Sequence, residues 1–469
     1  MQVLLCRLVL SLCLAGAAIG AAQTSALPGG ASIRPQPSQS DLVNRALAGD
    51  AAAQFQIGYS FDQQGNYAEA LDWYGKSAAQ GFAAAEAAVG SMNQMGRGVP
   101  PNPSAALKWY RLAVQQNEPV AENNLGLMYA RSQGVAADSD QAITLFGKAA
   151  EQGWPPAQAN LAFLYATEHL SQAYKWCVLA MAGGQQQCKQ ILDELAGRMH
   201  RAEIAAADDE ILGWVRRQNS KPAGALTMHT SILALRLADM YSRGEGLERN
   251  DAQAAKFYQY AANQGNATAQ ARLGEMYFTG RGVAKDDAQA FAWFQRSAQM
   301  GNAAGQRDLG FAYLQGVGVS KDEQRGADWV GKAADQGDLV AQTFLAYCYQ
   351  FGEGVPRDEQ RALQLYENAA KSGNVMALNN LAWIYATSEN PALRNPEKAV
   401  EYASKAAELT SQSDPRILDS LAAAYFGQAK YDAAIATEEK ALALKPDDTS
   451  MRRRLVEYEQ SLDTKAQPK

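Results

Sequence analysis

Residues 269–301 read AQARLGEMYFTGRGVAKDDAQAFAWFQRSAQMG. Ala269, Leu273, Gly274 and Tyr277 fall at helical spacing and mark the apolar stripe of a first helix. Gly274 offers a neighbouring helix a close approach. Gly280 and Gly282, with Val283, mark a loop in which glycine takes positive φ at little cost. Asp286 is the expected N-cap of a second helix. Its carboxylate accepts from orphan N–H groups, an arrangement worth about 1 kcal/mol. Ala290, Trp293, Phe294 and Ala298 form the buried face of that helix, and Gly301 ends it as a left-handed residue.

The same unit recurs along the chain. Its anchor, an apolar residue followed by Gly or Ala, stands at Leu237, Leu273, Leu309, Leu345 and Leu381, a spacing of 36 four times running. Val89, Leu125 and Leu161 repeat it at 36 twice, with Ile57 before them and Leu421 after. The expected cap recurs as Asn102, Asp138, Asn250, Asp322 and Asp358, and the terminating glycine as Gly153, Gly265, Gly337 and Gly373. One helix–loop–helix hairpin cannot bury both sides of its stripe, whereas stacked neighbours can. The fold class is therefore all-α, a solenoid rather than a domain with one central core.

These residues resemble the Sel1-like repeat, a tetratricopeptide relative with a longer internal loop, over most of residues 47–408. The resemblance implies a right-handed α-solenoid. It also implies an adaptor or scaffold role, since members act mostly in bacterial envelopes, secretion and endoplasmic-reticulum quality control. Two units depart from the pattern. Leu161 to Trp176 lacks the Gly-x-Gly-Val loop, and Ile57 to Trp73 is short, so both should be plain tetratricopeptide-like hairpins. Residues 418–448 resemble a true tetratricopeptide repeat. The expected organisation is a signal peptide (1–22), a disordered tether (23–41), block 1 (42–183), capping helices and linker (184–229), block 2 (230–408), and a final hairpin with a charged capping helix (409–469). Ile204, Ile211, Leu212 and Trp214 are expected to cover the open end of block 1. Residues 218–225 (QNSKPAGA) read as linker.

Arg7 followed by the apolar run from Leu8 to Ala22 and the small residues Gly20, Ala21 and Ala22 has the form of a cleaved secretory signal. An uncleaved anchor is the alternative. The mature chain is expected to be exported, to the bacterial periplasm or beyond, with no integral membrane segment after cleavage. Residues 23–40 are rich in Pro, Ser, Gln and Gly and cannot bury enough surface to offset their ordering entropy.

Composition narrows the chemistry. With 43 Lys and Arg against 49 Asp and Glu, the net charge is −6, which argues against a large nucleic-acid footprint. Three histidines in 469 residues leave little for imidazole catalysis. His169, His200 and His229 have no partners at ligand spacing, so no metal site is expected. The Gly-x-Gly strings recur in register with the repeat and lack a phosphate-loop lysine. No nucleophile-elbow motif is present. Asp208-Asp209 and Asp286-Asp287 read as helix-start or exposed carboxylates, and Arg452-Arg453-Arg454 as a solvated face. The reading is non-enzymatic, without cofactor. Of the cysteines beyond the signal, Cys348 reads as core. Cys177 and Cys188 are a candidate disulfide pair, with two buried free thiols as the alternative. The chain lacks the regular cysteine pairs of the disulfide-rich, penicillin-binding branch of Sel1-like proteins.

The groove lined by the first helices carries the candidate partner site. Two places after successive anchors stand Asp239, Glu275, Phe311, Tyr347 and Trp383. Phe278, Leu314 and Phe351 lie a turn further on. Asn124, Asn160 and Asn380 precede anchors, where an amide suits an extended peptide backbone. Aromatic anchors flanked by amides fit recognition of a protein segment. Burial of this ribbon against the next unit is the opposing reading. Two other functions compete with the scaffold: a peptidoglycan or other envelope-glycan binder stacking sugars on these rings, and a penicillin-binding-type hydrolase.

Overall fold

The computed structural model of the chain describes residues 39–218 and 230–466. The expected signal peptide, the tether up to residue 38, the linker from residue 219 and His229 lie outside the described residues. The described residues form 24 helices and no strand. None of these helices is long and apolar enough to cross a membrane.

Two compact units divide at Gln264/Gly265. The first begins with α1 (Gln39–Leu47), which starts inside the stretch read as tether. Hairpins follow: α2/α3 (Ala51–Gln63, Tyr67–Ala78), α4/α5 (Ala83–Met95, Pro103–Gln115), α6/α7 (Pro119–Arg131, Ser139–Glu151) and α8/α9 (Pro155–Tyr165, Leu170–Ala182). Two extra helices, α10 (Cys188–Ala196) and α11 (Arg201–Gln218), precede the hairpin α12/α13 (Thr230–Arg243, Asp251–Asn263). The second unit holds α14/α15 (Ala267–Thr279, Asp287–Gln299), α16/α17 (Ala303–Gln315, Glu323–Asp335), α18/α19 (Leu339–Phe351, Glu359–Lys371) and α20/α21 (Val375–Thr387, Pro396–Leu409). It ends with α22/α23 (Pro415–Gly427, Tyr431–Leu444) and α24 (Thr449–Ala466).

The punctuation follows the sequence closely. Asn102, Asp138, Asn250, Asp286, Asp322 and Asp358 each accept a backbone N–H three residues on, as N-caps do. Gly153, Gly265, Gly301, Gly337 and Gly373 all have positive φ. The anchor glycine has a packing reason: a Cβ on Gly274 would lie 2.6 Å from Phe294, and one on Gly90 2.7 Å from Tyr110. The second loop glycine docks one hairpin on the one before. A Cβ on Gly318 would overlap the Asp287 carbonyl at the start of α15, and one on Gly354 the Glu323 carbonyl at the start of α17.

The core is a series of small clusters rather than one centre. Ala290, Phe294, Ala298, Leu309 and Ala312 make one such cluster between consecutive hairpins. Alanine lets helix axes approach, while a buried Phe supplies roughly 1.5–3 kcal/mol. Hairpin contacts are reinforced by side-chain hydrogen bonds at near-constant spacing: Gln116 to Glu86 (2.9 Å), Gln152 to Glu122 (2.7 Å) and Gln336 to Gln306 (2.7 Å).

The extra helices do not end the array as a cap would. Ile211, Leu212 and Trp214 are buried, with Trp214 edge-on to Trp176 at 6.1 Å and hydrogen-bonded to Glu151 at 2.9 Å. Yet α9 also contacts α12, and Arg236 donates to the Ala182 carbonyl at 3.1 Å. The hairpin 230–263 therefore belongs to the first unit, one hairpin beyond the boundary read at 184–229. Gln218, read as linker, is the last residue of α11 and donates to the Glu151 carbonyl. Asp208 and Asp209 lie mid-helix, not at a helix start: Asp208 is buried and Asp209 exposed.

The C-terminal helix α24 packs on the last hairpin through Met451 against Leu418 and Ala441, and through Tyr458 stacked on Phe426 at 4.6 Å. Arg454 is not a solvated surface residue. It grips Asp419 with two bonds of 2.6 and 2.7 Å, lies 3.7 Å from the buried Glu438, and covers the Trp383 ring at 5.3 Å.

Candidate functional site

In the second unit, α14, α16, α18 and α20 are the first helices of successive hairpins. Asn266, Asn302, Asp338 and Asn374 cap them through their own side chains. Register then brings rings from different places of successive units together. Phe311 contacts Phe278 edge-on at 5.8 Å and Phe344 at 5.7 Å, linking three hairpins. Tyr347 and Phe351 form a tilted pair at 4.6 Å. These two are the open part of the run, at 40% and 56% exposure, while Phe278, Phe311 and Phe344 are half-buried.

Charged groups border the rings. Lys285 stands 5.5 Å over Phe278. Glu275 is exposed and pairs with Arg272 at 3.2 Å. Burial, then Glu353 beside it, raises the Tyr347 phenol above its usual range. Arg307 bridges Asp308 and Asp338 at 2.8 and 3.0 Å.

Several residues read as groove-lining are placed otherwise. Leu314 is buried with Ala327, Val330 and Cys348, and it leans on Gly326, where a Cβ would lie 2.6 Å from it. It stands five places after its anchor, as the half-buried Phe278 does, whereas the exposed Phe351 stands six after its own. One helical position is a rotation of about 100°, enough to turn a side chain from groove to core. Trp383 is half-buried under the Arg454 guanidinium. Asn124 is buried and donates to the Tyr110 hydroxyl at 3.3 Å. Asn160 donates to Asn123 at 2.9 Å. Asn380 hydrogen-bonds Tyr366, whose hydroxyl also reaches Gln350 at 3.0 Å. Asn124 and Asn380 thus hold tyrosines of the preceding hairpin, and Asn160 holds another amide. Phe344 was missed from sequence. Its signal was its place immediately before the anchor Leu345, facing Phe311 of the previous hairpin.

Cys177 and Cys188 are both fully buried free thiols, hydrogen-bonded to each other. That contact and burial hold the Cys177 thiol well above its ordinary range. Cys348 is likewise buried and pushed up to about 11. His169 and His200 are exposed, His169 edge-on to Tyr165. Among the described residues, no group of three His, Cys, Asp or Glu side chains is placed to hold a metal ion.

The Sel1 repeat pattern matches residues 51–82, 83–118, 119–154, 233–266, 267–302, 303–338, 339–374 and 375–411, more than half of the chain. The chain belongs to the Sel1 repeat family. This Sel1 repeat chain is similar to a protective antigen of uropathogenic Escherichia coli that displays an SLR fold. The two are 28% identical over 89% of this chain and 81% of that one, with a TM-score of 0.51. A Sel1 repeat protein from Oxalobacter formigenes is 29% identical over 72% of this chain and 87% of that one, with a TM-score of 0.36. Comparison with curated proteins gave no match. Sel1 and tetratricopeptide-like repeats are generally protein–protein interaction scaffolds, and the fold is typically non-catalytic.

Proposed function

We propose that this Sel1 repeat protein is an exported, non-enzymatic scaffold whose second unit holds an apolar segment of a partner protein. The observation that carries this is the Tyr347–Phe351 pair. Two large rings left 40% and 56% exposed stand on the helix that also carries Phe344, whose ring meets Phe311 and through it Phe278, all half-buried. Exposed aromatics rimmed by charge are the usual anchors of an interface. Glu353, Glu275 and Lys285 supply that rim.

Export to the cell envelope is supported by Arg7 with the apolar run to Ala22, and by the likeness to a protective antigen of E. coli. Fractionation of the native host tests the compartment. Crosslinking and co-purification of the full chain against its Tyr347→Ala/Phe351→Ala variant tests the site. A partner recovered with the native chain and lost with the variant is the expected result. An unchanged set of partners with a variant that melts normally would overturn the proposal.

A further inference from the structure

The interruption of the repeat builds a feature that regular hairpins lack. α9, α10, α11 and α12 enclose a half-open cavity of about 720 Å³ in the first unit. Its floor is Asp208, which is 3% exposed. One of its carboxylate oxygens, Oδ1, accepts the hydroxyl of Tyr174 from α9 at 3.2 Å and the hydroxyl of Tyr241 from α12. Among the described residues no cation pairs with it. The nearby Lys256 is held by Asp209 at 2.7 Å. A desolvated carboxylate without a counter-cation is costly. Burial pushes the Asp208 carboxyl up to about 6, against the lowering effect of both tyrosines and, more weakly, of Lys256.

Leu192 and Ile204 are among the apolar residues of its mixed lining, and the mouth is charged in both signs. Lys189, Arg201, Asp193 and Glu248 are exposed there and make no ion pair among the described residues, while Arg249 is held by Asp251 at 2.7 Å. An ammonium entering the cavity would provide the cation that Asp208 lacks. A carboxylate at the other end of the same ligand would meet Lys189 and Arg201. A plain dication would meet those two cations at the mouth, and a dicarboxylate would meet Asp208 at the floor. The volume lies within the usual small-molecule range of roughly 300–1,000 Å³.

We propose that this cavity is a binding site for a small zwitterion of the short-peptide class, its terminal ammonium seated at Asp208 and its carboxylate at Lys189 and Arg201. The site is separate from the aromatic strip of the second unit, and loss of either leaves the other intact.

Calorimetry on the full chain with trialanine, N-acetyl-trialanine and cadaverine tests it. Saturable binding of trialanine is expected. N-acetylation should abolish it, cadaverine should bind more weakly, and Asp208→Asn, which keeps the shape, should weaken trialanine by about tenfold or more. The exposed pair Lys189→Ala/Arg201→Ala decides the matter if the Asn variant fails to fold, since neither residue contributes to the core. No binding of trialanine to native protein, equal binding of the acetylated peptide or of cadaverine, or undiminished affinity in either folded variant would overturn the proposal.

Discussion

Gly274 lies directly beneath the ring of Phe294, where an added Cβ would come within 2.6 Å of Cδ1 and Cε1. The contact sets how closely α14 and α15 approach, and Gly126 with Phe146 repeats it in the first unit. Gly274→Ala gains helix propensity of about 1 kcal/mol but overpacks a filled site, typically costing 1–3 kcal/mol. The expected result is a lower thermal midpoint. Adding Phe294→Leu, which shortens the opposing side chain, should recover part of the loss. A midpoint raised by Gly274→Ala alone would contradict this account of the packing.

Arg454 fixes the last hairpin by holding Asp419 while facing the buried Glu438. Arg454→Met leaves the buried Asp419 carboxylate, beside a Glu438 carboxyl pushed up to about 8, without its cation, a change of about 3–5 kcal/mol. Hydrogen exchange should rise across residues 415–466 and stay unchanged in the first unit. Asp419→Asn in the same chain should restore much of the protection, because the stranded charge is then gone.

Glu122 is fully buried, accepts from Gln152, and is pushed up to about 7, first by burial. Its ordinary value near 4.3 applies to the unfolded chain. The folded state therefore prefers the protonated form. The stability this gives is complete below about pH 4 and is lost as pH rises through about 7. Glu122→Gln keeps the partner and removes the charge. The stability difference between variant and native chain should widen in the variant's favour from pH 4 to pH 8. A difference that stays flat over that range in urea titrations would disprove the assignment.

Cys177 and Cys188 touch across the turn between α9 and α10. Under oxidation they should join, closing an 11-residue separation. Intact-mass measurement should show the loss of two hydrogens. A short loop of this kind stabilises by about 3 kcal/mol at most. Cys177→Ser should abolish the mass change, and Cys348→Ser should leave it unaltered.

The hairpins, their caps and their left-handed glycines were legible because each depends on local chemistry. Asp286 caps α15 whatever its neighbours do, and Gly301 adopts positive φ because its own backbone requires it. The groove was legible only in part. Register puts Phe311 and Tyr347 at equivalent places of successive first helices, but exposure depends on what the adjacent hairpin supplies. Leu314 turned inward onto Gly326, Trp383 was covered by Arg454 from the C-terminal helix, and Asn124 found a tyrosine of the preceding repeat.

The interruption shows the same division. Helical periodicity in residues 202–217, and with it an inward role for Trp214, could be read from spacing alone. That Asp208 would turn inward to meet Tyr174 and Tyr241 could not, since the three residues are brought together by three separate helices.

The sequence by itself determined that this protein is a stack of helical hairpins with a 36-residue period, because caps, turns and apolar stripes act over a few residues. Only the tertiary structure decided which rings stay exposed, which carboxylates lose their water, and that hairpin 230–263 joins the first unit. Those outcomes depend on the side chains that packing sets opposite each residue, and most of these come from other helices.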